Sequence, residues 1–421
     1  MTYGLVGIIG GASYVHSHLT GIAMELYGAC DFMGPNAGLP PSLAERQIPE
    51  HTDYFRLYAG NNTVVVNGTS HGIQPGSWNS ASYLYQNTTV NVASEPTHLG
   101  DAISSEFGFA TQYLEDNING AQQQRTLSIL RTSPTTAYYF DVFRSRSLGS
   151  NLFHDYIYHN LGDAMKVTDF DNKPITQTAT TKYQNDVGDP VKNPGWRYFE
   201  GTKSTAATDV PVRVQFQMDA TKSSMNVTIP GGADKEYTSA LAPPSREALN
   251  GYINKKTQVL VIRQKGEAWD KPFIATFEPA VGTVSVKMVE ELRTGAKVVG
   301  AKVTSVVGTD TIIDYVISHD NATSVYDNTA EKISFEGRFG VVRVIKKPGQ
   351  TSNPYCLYIG EGKKIQYGSK VLDANTAKVG YYNSEGTGIM SGKGHLGSSK
   401  SIALENIRMY SEKIGKKLGR N

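Results

Sequence analysis

The sequence predicts an all-β protein, with a large antiparallel β-sandwich of the supersandwich type followed by a smaller C-terminal β-sandwich. Charged residues make up only 19% of the 421 residues, and the chain contains 42 Gly and 24 Tyr. Short runs of β-branched and aromatic residues recur along the chain, many with period-two alternation. Long amphipathic helical patterns are scarce. These features favour strands joined by loops over helical bundles.

The strands of the first sandwich are predicted from the runs with the clearest alternation. An aromatic run at 137–143 places rings on both faces of its strand, as expected when sheets are stacked. The other predicted strands of this part cover 62–67, 127–131, 212–218, 258–263 and 273–277.

We place a domain boundary at residue 280, which gives a large sandwich domain over 1–280 and a small C-terminal sandwich over 281–421. After the boundary, shorter β-branched runs recur about every ten residues, which is typical of a small sandwich. These predicted strands cover 283–288, 297–306, 311–317, 332–335, 340–346 and 355–359.

Charge and cysteine content exclude several classes of function. The formal net charge is +2, which argues against nucleic acid as a partner but allows a local basic groove for an acidic sugar. Cys30 and Cys356 form no metal-binding CxxC pair. The longest apolar stretch, 4–12, is too short to cross a membrane, and no Lys or Arg precedes it as in a signal peptide. We therefore expect no membrane partner.

The segment from 13 to 68 concentrates the candidate chemistry. His16 and His18 stand two residues apart, so on a strand they share one face. Such a pair suits either metal binding or a base beside a positioning group. The pair is followed by an ordered series of motifs, namely M-E-L-Y-G at 24–28, G-P-N-A-G at 34–38, H-T-D-Y-F at 51–55 and G-N-N-T-V-V-V-N-G at 60–68.

This series resembles the β-sandwich portion of the heparinase II/III-like polysaccharide lyases. In that family an H-x-H segment and an E-L-Y-G strand lead to a G-x-D-x-G loop, a D-Y-aromatic stretch and H-N-T-V-V-V-(D/N)-G. The resemblance continues in Y-Y-F-D-V-F-R at 138–144, H-D-Y-I-Y-H-N-L-G-D at 154–163, P-G-W at 194–196 and the segment 259–279. It covers residues 4–280.

The resemblance implies a polysaccharide lyase that cleaves uronic-acid-containing acidic glycans by β-elimination. That reaction needs a group that neutralises the C6 carboxylate, a base for the C5 proton and an acid for the leaving O4. His16 matches the family's catalytic His and is predicted to be the general base. Tyr54 is the local candidate for the acid, with Tyr58 as the alternative. The candidate substrate contacts are Arg144 for a carboxylate, Trp78 for stacking on a sugar ring and His71 near the cleft.

The resemblance also implies a zinc site, but in degenerate form. His18 matches the first ligand, whereas Asn36 and Asn61 stand where the family has Asp and His. Amide oxygens are poor zinc ligands, so we expect no required cofactor and at most a weak structural zinc. We expect His18, Asn36 and Asn61 to form a hydrogen-bonded polar cluster that holds the loops together.

Members of this family carry an N-terminal (α/α) toroid, which supplies the Tyr acid and the groups that neutralise the uronate. No part of this sequence indicates such a domain. We expect a separate toroid chain as partner, an acidic polysaccharide as substrate, and a parent protein that is secreted or periplasmic although this chain shows no signal peptide. The alternative is a non-catalytic carbohydrate-binding or structural β-sandwich left by loss of the toroid.

Overall fold

The computed structural model describes residues 6–10, 18–40, 48–69, 73–78, 81–84, 89–98, 100–117, 119–183, 194–246, 248, 251–350, 353–385 and 389–391. Almost all regular structure in these residues is β-strand, so the all-β prediction is confirmed. The helical elements are single turns, such as His51–Phe55, Tyr58–Gly60 and Trp196–Tyr198. Across these ranges, no helix has the length and apolar character needed to span a membrane.

The strands before residue 281 alternate with short turns and surface loops. In chain order they are β1 (Val6–Gly10), β2 (Ala23–Gly28), β3 (Asp31–Gly34), β4 (Val64–Val66), β5 (Ile73–Trp78), β6 (Ala81–Leu84), β7 (Val90–Glu95), β8 (Phe107–Asp116), β9 (Ala121–Arg131), β10 (Ala137–Ser147), β11 (Phe153–Asn160), β12 (Ala164–Thr168), β13 (Thr178–Ala179), β14 (Glu200–Ser204), β15 (Val212–Met218), β16 (Ser223–Ile229), β17 (Lys235–Ala242), β18 (Thr257–Lys265) and β19 (Ala268–Ala280).

The strands after residue 281 follow one another closely. They are β20 (Val286–Thr294), β21 (Lys297–Val307), β22 (Asp310–Ser318), β23 (Val325–Asn328), β24 (Ile333–Lys346), β25 (Tyr355–Tyr367), β26 (Lys370–Asp373), β27 (Gly380–Asn383) and β28 (Ile389–Ser391).

Three large antiparallel sheets form the body of the protein. The first has eight strands in the order β12-β15-β16-β19-β10-β9-β8-β7, and the second has six in the order β13-β14-β17-β18-β11-β4. The third contains the nine strands β20–β28. Smaller sheets are formed by β1-β2-β3 and by β5-β6.

The eight-stranded sheet is the middle layer of the stack, and β10 shows why. Tyr139 and Phe143 point into a core shared with Tyr156 and Leu260 of the six-stranded sheet. The residues between them, such as Tyr138, pack into a second core with strands of the nine-stranded sheet. Side chains alternate across a strand, so the run of aromatics at 138–143 serves two cores at once.

The nine-stranded sheet folds over its own core. β24 and β25 shift register between Glu336 and Gly340. Residues on both sides of this shift, such as Phe335 and Val342, belong to one hydrophobic cluster with Leu372 of β26. Residues 281–385 therefore bury one face against themselves and the other against the middle sheet. The division of the chain into two domains at residue 280 stays a prediction.

Candidate functional site

The motif segment folds around one buried side chain, that of Asn62, which follows the 3₁₀ turn Tyr58–Gly60. Its Nδ2 donates to the carbonyl oxygens of Met24 at 3.0 Å and Pro35 at 2.9 Å, and also to Gly34. Its Oδ1 accepts the backbone N–H of His159 at 2.6 Å and lies 3.0 Å from His159 Nδ1. One amide thus joins the E-L-Y-G strand, the G-P-N-A-G loop and β11, and these groups form what we call the Asn62 junction.

A buried ion pair supports the junction from the middle sheet. Arg125 donates to the Asn62 carbonyl at 2.5 Å and to the carbonyl of Ile22 at 2.9 Å. Its guanidinium also holds Asp141 through two bonds of 2.9 and 2.7 Å, and Tyr156 donates to the same carboxylate at 2.7 Å. Both charged side chains are buried, with 0% and 1% exposure. The ion pair and the hydrogen bonds offset the cost of removing these charges from water.

The imidazole of His159 belongs to this buried network. Its Nδ1 faces the Asn62 oxygen, which can only accept, so Nδ1 carries the proton and Nε2 accepts from the Tyr54 hydroxyl at 3.2 Å. Burial lowers the pKa of His159 to about 3, which keeps the ring neutral. His159 is therefore a structural link between Tyr54 and Asn62.

Tyr54 does not lie where a general acid would have to lie. Its side chain is 0% exposed and packs among Phe55 and Phe199 on the outer face of the six-stranded sheet. Burial raises the pKa of its hydroxyl above the ordinary value. A polymeric substrate needs an acid at the surface, so the structure argues against Tyr54 as the acid.

Arg144 is likewise buried instead of facing a substrate. Its guanidinium donates to the carbonyl oxygens of Trp269 at 3.0 Å and Ser318 at 2.5 Å, across the boundary between the middle and nine-stranded sheets. Burial lowers its pKa to about 10, against the attraction of Asp320 and neighbouring carboxylates. This arrangement argues against Arg144 as a contact for a substrate carboxylate, because its side chain is only 4% exposed.

Asn36 and Asn61 each hold loops together, but in separate sets of bonds. Asn36 donates from Nδ2 to Glu25 at 3.2 Å and accepts the backbone N–H of Asn62 at 2.8 Å. Asn61 donates from Nδ2 to the carbonyls of Leu57 at 2.7 Å and Leu19 at 3.3 Å. The polar stabilisation that we expected is present at these two positions. Among the described residues, no hydrogen bond joins the two amides to each other.

His18 is partly buried beside Arg56, whose carbonyl accepts the N–H of Leu19 at 2.8 Å. Burial, together with the positive charges of Arg56 and His51, lowers the pKa of His18 to about 4. A cation beside the imidazole and two amides engaged in hydrogen bonds do not fit a zinc ion. The described residues also hold no cluster of three His, Cys, Asp or Glu suited to a metal.

The structure does not describe the side chains of three predicted site residues. His16 and His71 lie outside the described residues, and for Trp78 the description covers only the backbone, as the last residue of β5. Their assignments as general base and substrate contacts stay predictions.

Polar groups at the surface above the junction were not predicted. Arg197 forms an ion pair with Asp53 and donates to the Tyr198 hydroxyl at 2.9 Å. The Tyr198 ring lies 5.9 Å from that of Tyr54 and is partly exposed. Gly195 allows this loop to pack closely, because a Cβ there would lie 2.7 Å from the carbonyl oxygen of Asp53. These groups, unlike Tyr54, can meet a ligand.

Two residues of the junction were also missed by the sequence reasoning. Asn62 stands next to Asn61, and of the two only Asn61 occupies the position of a family ligand. Arg125 is a single charge within the run Gln122 to Leu130, and its partner Asp141 interrupts an aromatic strand in the same way. An isolated charge in an otherwise buried strand indicates an ion pair, since an unpaired charge would be too costly to bury.

Comparison with known proteins gives two findings from sequence. Residues 286–384 match the family described as the endo-acting ulvan lyase C-terminal domain. The chain is 56% identical over 380 residues to an endo-acting ulvan lyase of Formosa agariphila. The match covers 90% of this chain and 46% of that protein, so the chain spans less than half the length of this relative.

Comparison of structures gives weaker similarities. A heparan sulfate lyase from Pedobacter heparinus matches with a TM-score of 0.40 at 9% identity, over 78% of this chain and 36% of that one. A heparinase III matches with a TM-score of 0.35 at 10% identity, over 81% of this chain and 36% of that one.

Proposed function

We propose that this homologue of an endo-acting ulvan lyase is the β-sandwich part of a polysaccharide lyase that cleaves uronic-acid-containing acidic glycans by β-elimination. The observation that carries the proposal is the 56% identity over 380 residues, together with the match of residues 286–384 to the ulvan lyase C-terminal domain. Ulvan is the substrate we propose, because the relative is named as an ulvan lyase. Secretion, or export to the periplasm, of the parent protein is part of the same proposal.

In this proposal His16 is the general base that removes the C5 proton. A neutral imidazole with an ordinary pKa suits that role near pH 7. His18, two residues along, is less suited, because its pKa is lowered to about 4 by burial and by the neighbouring cations Arg56 and His51. A base with so low a pKa holds a proton too weakly to take one efficiently from carbon.

The acid and the group that neutralises the C6 carboxylate are proposed to come from an (α/α) toroid. Tyr54 and Arg144 are buried in this chain and do not supply them. No cofactor is required in this proposal, since the reaction needs only proton transfers and charge neutralisation. Tyr198 and Arg197 stand at the surface above the junction, where they can contact the substrate.

The test is an ultraviolet absorbance assay for the unsaturated uronate product, with ulvan as substrate. The chain is assayed alone and after addition of the part of the related ulvan lyase that the match does not cover, as the candidate source of the toroid. Product formation in the mixture, and its loss in His16→Ala, supports the proposal.

Absence of product from ulvan, heparan sulfate, chondroitin and alginate under both conditions would overturn it. If the chain then still bound ulvan, the alternative of a non-catalytic carbohydrate-binding sandwich would take its place. Treatment with a chelator tests whether the reaction needs a bound metal ion, and we expect it to leave product formation unchanged.

A further inference from the structure

One face of the middle sheet carries polar side chains at its outer end. In β15, Val214 and Phe216 point into the core shared with the six-stranded sheet, so Gln215 and Gln217 point the other way. Gln217 is exposed and Gln215 is partly exposed. The neighbouring strands β12 and β16 present polar residues on the same face, and we call this surface the polar ledge. It consists of Lys166, Arg213, Gln215, Gln217, Ser224 and Asn226.

The nine-stranded sheet borders the ledge along one side. Glu278 of β19 accepts the backbone N–H groups of Ser285 at 2.7 Å and Val286 at 2.9 Å, which fixes the start of β20 over the middle sheet. Arg213 donates to the carbonyl of Lys287 in β20. The ledge is therefore a floor of three strands with β20 as a wall, and a cavity of about 330 Å³ opens between Gln215, Ser224 and Gly282.

Hydrogen bonds between the side chains hold the floor in place. Gln215 donates to the Asn226 side chain at 3.1 Å, and Asn226 donates to the Ser224 hydroxyl at 2.9 Å. Gln217 donates to Asp219 at 2.7 Å. Amides and hydroxyls both donate and accept, which suits the hydroxyl groups of a sugar. Side chains already ordered by their neighbours lose less entropy when a ligand binds.

Positive charge is arranged along the same surface. Lys166 stands opposite Gln215 in the pairing of β12 with β15, and Gln215 stands opposite Asn226, so the three form one row across the strands. Lys222 lies at the edge of the cavity and is exposed. Against these cations and Arg213 stand two carboxylates, Asp219 in the cavity and the buried Glu278, which is paired with Asn226 in the same row. The net charge of the ledge is positive.

We propose that the polar ledge is a binding surface for a strand of acidic polysaccharide, with its cations contacting carboxylate groups and its amides contacting sugar hydroxyls. The choice of ligand rests on the proposed function, and the charge complementarity and the open, strand-wide floor support it. The ledge would hold the polymer while the reaction takes place elsewhere on it, so it adds affinity without taking part in the chemistry.

The test compares binding of ulvan by affinity gel electrophoresis in three forms of the full chain. The first is wild type, and the second is Lys166→Ala with Lys222→Ala. The third is Lys364→Ala with Lys370→Ala, which removes the same charge from exposed positions on β25 and β26. We expect about three- to tenfold weaker binding for the ledge variant and little change for the control variant. Dextran is the neutral polymer for comparison.

Wild-type affinity in the ledge variant would overturn the proposal. Equal weakening in both variants would also overturn it, because attraction would then depend on total charge and not on the ledge. Gln215→Ala, which changes no charge, should weaken binding further when added to the ledge variant. Circular dichroism checks that each variant is folded.

Product formation is measured separately with the toroid present, so that the two proposals can fail independently. Ledge-dependent binding without any product would leave the ledge proposal standing and refute the lyase. Product formation together with wild-type binding by the ledge variant would support the lyase and refute the ledge proposal.

Discussion

Replacing Asn62 with Ala removes the amide at the centre of the junction. Two buried donors of His159, its backbone N–H and its Nδ1–H, lose their acceptor, and the carbonyls of Met24, Gly34 and Pro35 each lose a donor. An unsatisfied buried donor costs about 1–3 kcal/mol. The two His159 donors alone therefore predict a loss of about 2–6 kcal/mol in the free energy of unfolding, a large part of the stability of a typical domain.

The measurement is urea unfolding followed by circular dichroism, with Asn91→Ala as the matched control. Asn91 is an exposed asparagine that makes one side-chain hydrogen bond with Gln112. Its replacement should change stability by no more than about 0.5 kcal/mol. A loss in Asn62→Ala of similar size to the control would refute the reasoning that the amide holds the junction.

A second variant, Asn62→Asp, distinguishes the contribution of the amide oxygen from that of the amide nitrogen. The carboxylate still accepts from His159, but it places a negative charge against three carbonyl oxygens. We expect this variant to be at least as unstable as Asn62→Ala at pH 7. The carboxylate should also raise the pKa of His159 above that in the wild type, which NMR titration can follow. An Asp variant as stable as the wild type would show that the Nδ2 donors contribute little.

Four further outcomes are expected. Burial lowers the pKa of His154 to about 4, whereas its value in the unfolded chain is about 6.5, so between these values the unfolded chain binds the proton more readily and stability decreases as the pH is lowered. His154→Gln should reduce the slope of stability against pH by up to about 1.4 kcal/mol per pH unit between pH 6.5 and 4. An unchanged slope would contradict this assignment. Arg144→Met should lower the melting temperature without raising KM for ulvan in the complemented lyase, and a raised KM at unchanged stability would contradict the structural role. His16→Ala should lower the rate of the complemented lyase by about a hundredfold to ten-thousandfold with little loss of stability, and a wild-type rate would show that His16 is not the base. The wild-type chain should hold less than one zinc per molecule by elemental analysis after mild chelation, and Asn36→Asp combined with Asn61→His should raise that content; one tightly held zinc in the wild type would contradict this.

The sequence alone was enough for the fold class and for many strands. The predicted strand 212–218 is β15 from end to end, and the aromatic run at 137–143 lies within β10 with rings on both faces. Alternation and β-branched content are local properties. Both are set by residues close together in the sequence, because successive side chains of a strand point to opposite faces.

Local signals were misleading where glycine serves packing. The two strands predicted at 332–335 and 340–346 are one strand, β24. The segment between them, 336–339, has no β-branched residue, and Gly340 after it lies in the strand under the ring of Phe335, where a Cβ would approach within 2.6 Å. A glycine required by a ring packed across a folded sheet looks the same in sequence as a glycine required by a turn.

The roles of the candidate site residues depended on the tertiary structure. The sequence predicts a substrate contact for Arg144, yet the carbonyl of Ser318, 174 positions away, accepts its hydrogen bond beneath another sheet. Tyr54 is buried because the loop carrying Phe199 covers it, and Asn62 joins the loops to β11 because its amide reaches His159. A motif determines which chemical groups are present. Whether a group is buried, paired or open to a substrate depends on segments that are distant in the chain and adjacent only in the fold.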